Sequence, residues 1–287
     1  MYIRDYFYIK PTINCGDHME IDGISREDYA VDQYIDITPK IVLDRKTAVL
    51  YAPGTGVSQS ESRDSTHTKE RYAGSIPLCK GELLIKELTS YHVHRWIGEM
   101  ENRELVSYVN INNNACASSM HSLYEAERLL RDDVVDEVII ISDERSSFNT
   151  IRIFKEHRIP LVVGDALAIV RLIKNGNGHE ITNTKWEYEW NRNPFGVTKT
   201  GYLKVDGVAD TIKTHGTGTA NNSEAEQVLE NGRRVISYKK EIGHTQGASA
   251  LLELCMLLDD TSAEGKILCV ASGLGNVYGS CILHKIK

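Results

Sequence analysis

Asn112-Asn113-Asn114-Ala115-Cys116-Ala117-Ser118-Ser119 places a cysteine among small residues between two patterned segments. Leu105-Val106-Ser107-Tyr108-Val109-Asn110-Ile111 precedes it and reads as a buried strand. Met120 to Arg131 follows, with Leu123, Ala126 and Leu130 at helical spacing. Cys116 therefore occupies a strand-to-helix turn, the setting of a nucleophile elbow with sulfur in place of a serine oxygen. The helix N-terminus behind it is expected to favour thiolate over thiol. A cysteine alone is weak evidence, because free cysteines are commonly inert core residues. Its meaning depends on what the rest of the chain supplies.

Working outward, strand and helix patterns alternate. Strands are expected at Tyr6 to Ile13, Thr47 to Ala52, Leu105 to Asn112, Glu137 to Ser142 and Ala166 to Ile173. Helices are expected at Gly81 to Met100, Ser118 to Arg131 and Asn149 to His157. After a polar stretch from Asn175 to Thr200 the alternation resumes. Strand Ala209 to Thr214, helix Ser223 to Asn231, strand Arg233 to Tyr238 and helix Gly247 to Leu258 precede strands Lys266 to Ser272 and Gly279 to His284. This describes one α/β domain over residues 1–287, made of two related halves at about 1–175 and 205–287, without a visible sequence repeat. Helix Ala248 to Leu258 carries one charge and apolar residues on every side, so protein should surround it.

Composition narrows the function classes. A 287-residue chain with 41% hydrophobic residues can bury a sizeable core. A net charge of −7 gives no general attraction to nucleic acid or anionic membranes. The N-terminus lacks a signal-peptide apolar core, and no apolar run approaches the roughly 18 residues of a membrane span. A cytoplasmic location is expected. Cys15, Cys79, Cys116, Cys255, Cys269 and Cys281 are scattered without a Cys-x-x-Cys pair, which suggests reduced thiols and no structural zinc. Gly54-x-Gly56 lacks the third glycine of a phosphate-binding loop and reads as a turn. His92-x-His94 would share a face only on a strand, and its surroundings read as helix.

The second half supplies the missing groups. Lys213-Thr214-His215-Gly216-Thr217-Gly218-Thr219 ends one strand in a glycine-rich loop. Lys239 leads five residues later to His244, in Gly243-His244-Thr245-Gln246-Gly247, after the next strand. Histidines at like ends of adjacent strands are where α/β folds place working groups. Ala271-Ser272-Gly273-Leu274-Gly275-Asn276 is a further glycine-rich turn whose backbone N–H groups could hold an oxyanion.

These four motifs, in this order, resemble the β-ketoacyl synthase (ketosynthase) family of thiolase-like condensing enzymes, from about Leu105 to the end. The resemblance implies a thiolase-like α/β fold, with two pseudo-symmetric βαβ halves and central helices sandwiched between two mixed sheets. Carried over, Cys116 matches the acyl-accepting nucleophile, and His215 and His244 match the pair assisting malonyl decarboxylation. Lys239 and Glu226 match the supporting charged pair, and Thr217 and Thr219 the hydroxyls that hold phosphopantetheine. The backbone N–H groups of Cys116 and Leu274 match the oxyanion hole, with Gly273 and Gly275 lining the substrate. The implied activity is acyl transfer to Cys116, then decarboxylative Claisen condensation with a malonyl thioester on acyl carrier protein, in a fatty-acid or polyketide-like pathway. No cofactor beyond the carrier's phosphopantetheine is implied. The implied partners are acyl carrier protein and a homologous subunit in a homodimer or heterodimer built around residues 105–112. Acyl transfer alone, malonyl decarboxylation alone and a partner-subunit role are the alternatives.

The residues support this chemistry independently. A thiolate takes an acyl group from a thioester at little cost, and two histidine donors suit the enolate formed as carbon dioxide leaves. The chain also departs from the family pattern. It is short, with the deficit before Cys116 and between Ile173 and Val205. Ser223 replaces an acidic residue, Leu274 a gating aromatic, and Asn276-Val277-Tyr278 a Gly-Thr-Asn.

Overall fold

The computed structural model describes residues 1–15, 18–21, 30–54, 89–146, 151, 154–156, 158–193 and 196–286. The first half contains strands β1 (Tyr2–Ile9), β2 (Ile13–Cys15), β3 (His18–Glu20), β4 (Thr47–Tyr51), β5 (Val106–Ile111), β6 (Glu137–Glu144), β7 (Val163–Gly164) and β8 (Ala166–Ile173). Its described helices include α1 (Ala30–Ile37), α2 (Thr89–Gly98) and α3 (Ser118–Arg131). The second half contains β9 (Glu180–Tyr188), β10 (Thr211–Lys213), β11 (Arg234–Ile236), β12 (Gly265–Gly273) and β13 (Val277–Lys285). Helices α4 (Lys199–Lys204), α5 (Ala220–Glu230), α6 (Lys239–Ile242) and α7 (Ser249–Asp259) accompany them.

Ten strands form one sheet in the order β11-β10-β12-β13-β9-β1-β8-β6-β4-β5. Its two ends repeat one plan. In the first half β4 runs parallel to β5 and β6, β6 antiparallel to β8, and β8 antiparallel to β1. In the second half β10 runs parallel to β11 and β12, β12 antiparallel to β13, and β13 antiparallel to β9. Each five-strand unit thus orders its strands third, second, fourth, fifth, first. The two first strands meet at the seam through one residue pair, Tyr2 with Glu180. The two expected sheets are therefore halves of one hydrogen-bonded sheet. A small second sheet pairs β2, β3 and β7.

Strand alternation builds the layers. On β4, Ala48 and Leu50 face the main core and Val49 and Tyr51 the outer one; on β6, Val138 and Ile140 are set against Ile139 and Ile141 in the same way. On β12, Ile267, Cys269 and Ala271 face the main core, while Leu268 and Val270 pack with Tyr202 and Leu229. Three apolar layers result. The middle one holds α3 and α7, each touching strands of both halves. Residues Ser249 to Leu258 of α7 are all buried, as the all-round apolar pattern requires.

Several expectations shift. The first strand begins at Tyr2, four residues earlier than expected. The polar stretch 175–200 contains β9, a full strand between β13 and the seam, so the second half begins well before residue 205. Residues 81–88 of the expected helix to Met100 and most of that at 149–157 lie outside the described residues, as do Gly56 and Cys79. His92 and His94 are on α2, with His92 buried beside Tyr51 and His94 exposed. Cys116, Cys255, Cys269 and Cys281 are free thiols. No described helix is long and apolar enough to cross a membrane.

Candidate active site

The turn that carries Cys116 is fixed from both sides. Asn112 N donates to Tyr51 O (2.8 Å), tying the end of β5 to β4. Asn114 N donates to Ser118 Oγ (2.8 Å), whose hydroxyl donates to Ala115 O (2.7 Å). Ala115 has φ 50°, a left-handed conformation that alanine adopts only when its surroundings enforce it. A single 3-10 turn, Ala115–Ala117, then feeds α3. The amides of Asn110 and Asn112 both donate to the Glu125 carboxylate, locking the strand to the helix.

A second turn of the same form faces it. Gln246 has φ 44°, the 3-10 turn is Gln246–Ala248, and α7 begins at Ser249 as α3 begins at Ser118. The two turns pack together. Ser119 Oγ donates to Gly247 O (2.6 Å) and accepts from Leu251 N (3.2 Å). Gly247 presses on the Pro53-Gly54 backbone so closely that no Cβ fits there.

His215 and His244 arrive from neighbouring parallel strands. His215 lies two residues beyond β10, and His244 follows β11 and α6. His244 is anchored by its N–H to Val162 O (2.7 Å) and by its carbonyl to Gly164 N (3.1 Å). The Cys116 sulfur and one ring nitrogen from each histidine lie within 4.8 Å of one another. The two rings are perpendicular, with centroids 5.7 Å apart, and Phe154 packs edgewise on His244. Both imidazoles are held neutral, well below their ordinary pKa, by burial first and by the Lys239 ammonium second.

The tautomer of His244 follows from its contacts. Its Nδ1 accepts from Gln246 N (2.9 Å), so in the neutral ring Nε2 carries the hydrogen and is a donor. Among the described residues, Cys116, His215 and His244 form the one group whose composition could ligate a metal. Ligation through Nε2 would require His244 to surrender that tautomer and the Gln246 bond.

The charged support differs from expectation. Lys239 donates to Glu253 Oε1, not to Glu226, and Lys213 donates to Glu253 Oε2 (2.6 Å). All three side chains are fully buried. Burial opposes ionisation of Glu253, but the two ammoniums hold its carboxyl below the ordinary value. Glu226 instead accepts the backbone N–H groups of His215 and Gly216, holding the loop after β10. Burial pushes it up to about 7. The Lys239–Glu226 pairing is therefore replaced by a Lys213–Glu253–Lys239 bridge. The sequence did hold a signal for Glu253, the lone charge in an otherwise apolar helix.

The expected thiolate is also corrected. Burial pushes the Cys116 thiol up to about 11, against the downward pull of Lys239 and with a smaller upward push from Glu144. Desolvation outweighs the helix end because Cys116 sits in the 3-10 turn, before the first α-helical residue. Glu144, buried at the end of β6, accepts from Gly54 N (2.7 Å) and Gly247 N and is pushed up to about 8, chiefly by burial. Its position at the end of an apolar strand was the only hint of it in the sequence.

The β12–β13 turn closes the site. Gly273 lies against Asn114 O without room for a Cβ, bringing this turn to the Cys116 loop. Leu274 is 55% exposed at its tip, and Gly275 has φ 88°. Thr217 and Thr219 lie on the half-buried loop beyond His215, their hydroxyls 3.3 Å apart. Ser223 is exposed on α5.

No family model and no curated protein matches the sequence. Solved structures do. A β-ketoacyl synthase from Burkholderia phymatum STM815 aligns with TM-score 0.70 at 14% identity, over 93% of this chain and 88% of that chain. A chain of a type II polyketide synthase acyl-carrier protein in complex with its ketosynthase bound to the hexaketide gives 0.70 at 14%, over 93% and 87%. A chain of a ketosynthase in complex with its chain length factor from Xenorhabdus doucetiae gives 0.70 at 14%, over 99% and 98%. With the paired five-strand units, the central helices and the order of the three loops, these likenesses show that the chain has the thiolase-like fold of the ketosynthases.

Proposed function

We propose that the protein is a condensing enzyme that accepts an acyl group on Cys116 and extends it with a malonyl-type thioester. The observation that carries this reading is the meeting of a cysteine sulfur with two neutral histidines within 4.8 Å. In the first half-reaction the Cys116 sulfur bonds to the acyl carbon, the donor's carbon–sulfur bond breaks, and the thiol proton passes to the departing sulfur. Because Cys116 rests as a thiol, this proton transfer accompanies attack. In the second, the malonyl carbon–carbon bond breaks as carbon dioxide leaves. The enolate oxygen accepts from His244 Nε2–H beside His215. The carbanion attacks the Cys116 thioester carbon, and the backbone N–H groups of Cys116 and Leu274 stabilise the tetrahedral oxyanion. As it collapses the Cys116 carbon–sulfur bond breaks, the 3-oxoacyl product leaves on the carrier, and the freed sulfur takes a proton from water to return to the thiol. The buried Lys213–Glu253–Lys239 bridge carries one net positive charge, and its Lys239 ammonium adds to burial in keeping both histidines neutral.

The acyl donor in this reading is carried by the pantetheine arm of an acyl carrier protein, with Thr217 and Thr219 along its path and Gly273 and Gly275 forming the wall beneath Leu274. The structural neighbour in complex with an acyl-carrier protein supports that choice. Mass spectrometry after incubation with acyl-carrier-protein thioesters tests it. An acyl adduct on Cys116 and a longer product on adding malonyl carrier are expected. An adduct without extension would mark an acyltransferase, and no adduct would end the catalytic reading.

A paired assembly is favoured by β5. Among the described residues this strand ends the ten-stranded sheet, and Val109 on it is 47% exposed. A second subunit, identical or homologous, would cover the edge.

A further inference from the structure

The turn opposite Cys116 holds a side chain that the condensation chemistry leaves unused. Gln246 is 5% exposed, yet its amide nitrogen has no hydrogen-bond partner among the described residues. A buried donor left unmade is costly, and buried amides normally find an acceptor. Its backbone N–H serves His244, so the side chain leaves the other side of the turn. There its Cβ comes within 2.7 Å of where a Cβ on Gly54 would stand, beside the Glu144 carboxylate. That starts the side chain beside the loop after β4 and the end of β6, on a turn packed against the one bearing Cys116. Gln246 is also left-handed at φ 44°, which glutamine does not favour. The geometry therefore spends backbone strain and an unpaired donor at one position beside the nucleophile.

We infer that Gln246 is a specificity-determining residue whose amide N–H recognises an oxygen on the acyl chain held by Cys116, so that the preferred substrates are keto-bearing, polyketide-like acyl groups rather than saturated ones. This rests on the acyl-accepting role of Cys116. A saturated chain passing the amide would leave the donor unmet, whereas a ketone, which can only accept, satisfies it. Sites built to hydrogen-bond a substrate discriminate strongly against analogues that lack the group.

The test measures Cys116 acylation rates in the full-length protein with octanoyl, 3-oxooctanoyl, 5-oxooctanoyl and 7-oxooctanoyl pantetheine. At least one oxo thioester should react about tenfold faster than octanoyl, the discrimination of a single neutral hydrogen bond. Gln246→Leu should abolish that preference by slowing the oxo substrate and speeding octanoyl. Gln246→Asn, whose side chain tolerates the left-handed turn but stops one methylene short, should also lose it, with a melting temperature showing that the fold is intact. An unchanged oxo-to-octanoyl ratio in both variants would overturn the proposal and mark the amide as satisfied by a buried water. Equal wild-type rates for all four thioesters would overturn it as well, while leaving Cys116 acylation standing. No acylation from any thioester would remove the parent reading and this one together.

Discussion

His244 is a donor because a backbone N–H occupies its other nitrogen, and that local fact yields a separable prediction. His215→Ala and His244→Ala should each retain Cys116 self-acylation within a few fold and lose condensation by at least about a hundredfold, the scale of one positioned donor. Acyl-adduct mass and product formation read the two steps apart. Equal loss of both steps would make a histidine the base of a hydrolase-like mechanism. Glu144 gives a pH prediction. Its folded carboxyl is raised to about 8 from an ordinary 4.5, so the folded protein holds a proton that the unfolded chain has released. The stability this contributes is full below 4.5 and lost as pH rises through about 8. Glu226, at about 7, acts in the same direction at lower pH. The histidines act oppositely, since their depressed folded values contribute stability above about 6.5. Between pH 7 and 8.5 the slope should therefore belong mainly to Glu144. Glu144→Gln should flatten the thermal stability decline there by about 1 kcal/mol, measured by differential scanning calorimetry. At this scale Cys116, His215 and His244 were legible because glycine and small residues mark strand ends. The thiol state of Cys116 was not, because desolvation depends on neighbours far away in sequence.

The bridge between β10, α6 and α7 belongs to the scale of elements. One carboxylate, Glu253, holds two ammoniums, one presented by β10 and one by α6. Lys213→Met should leave Glu253 wholly to Lys239, cancelling the net positive charge near Cys116 and His215. Cys116 alkylation by iodoacetamide should then slow several-fold at pH 8, with its pH profile displaced upward. An unmoved profile would reduce Lys213 to a packing role. Removing Glu253 should be harsher, because two buried ammoniums lose their partner, and destabilisation of about 3–5 kcal/mol by chemical denaturation is expected for Glu253→Gln. The reading of elements failed at β9 for a physical reason. Glu180–Tyr188 buries only Ile181, because beside the seam it gains just one residue pair with β1 and stays partly open. A strand in that setting has no need of an apolar pattern. The strands β6 and β8, enclosed on both faces, were plain in the sequence.

At the scale of the whole molecule, the sheet formed by the described residues ends in two edges of different character. β11 is a three-residue strand, while β5 is six residues long with Val109 exposed. Long apolar edges invite pairing, so β5 is where a second subunit should attach. Val109→Lys should shift the purified protein from dimer to monomer in multi-angle light scattering, with an intact melting transition. A wild-type monomer at micromolar concentration that still acylates Cys116 would refute obligate pairing. The repeated strand order was legible only as alternation, since the two halves share too little sequence to show a repeat.

That repetition bears on how many reaction centres such a molecule can have. Matched turn to turn, Cys116 corresponds to Gly247, each second in its one-turn helix after a left-handed residue. Cys116 is partly exposed. At Gly247 the Pro53-Gly54 backbone stands where any side chain would begin. The second turn thus has no room for a side chain at that position, and Gly247→Cys should therefore give a protein that fails to fold, not one with a second accessible thiol.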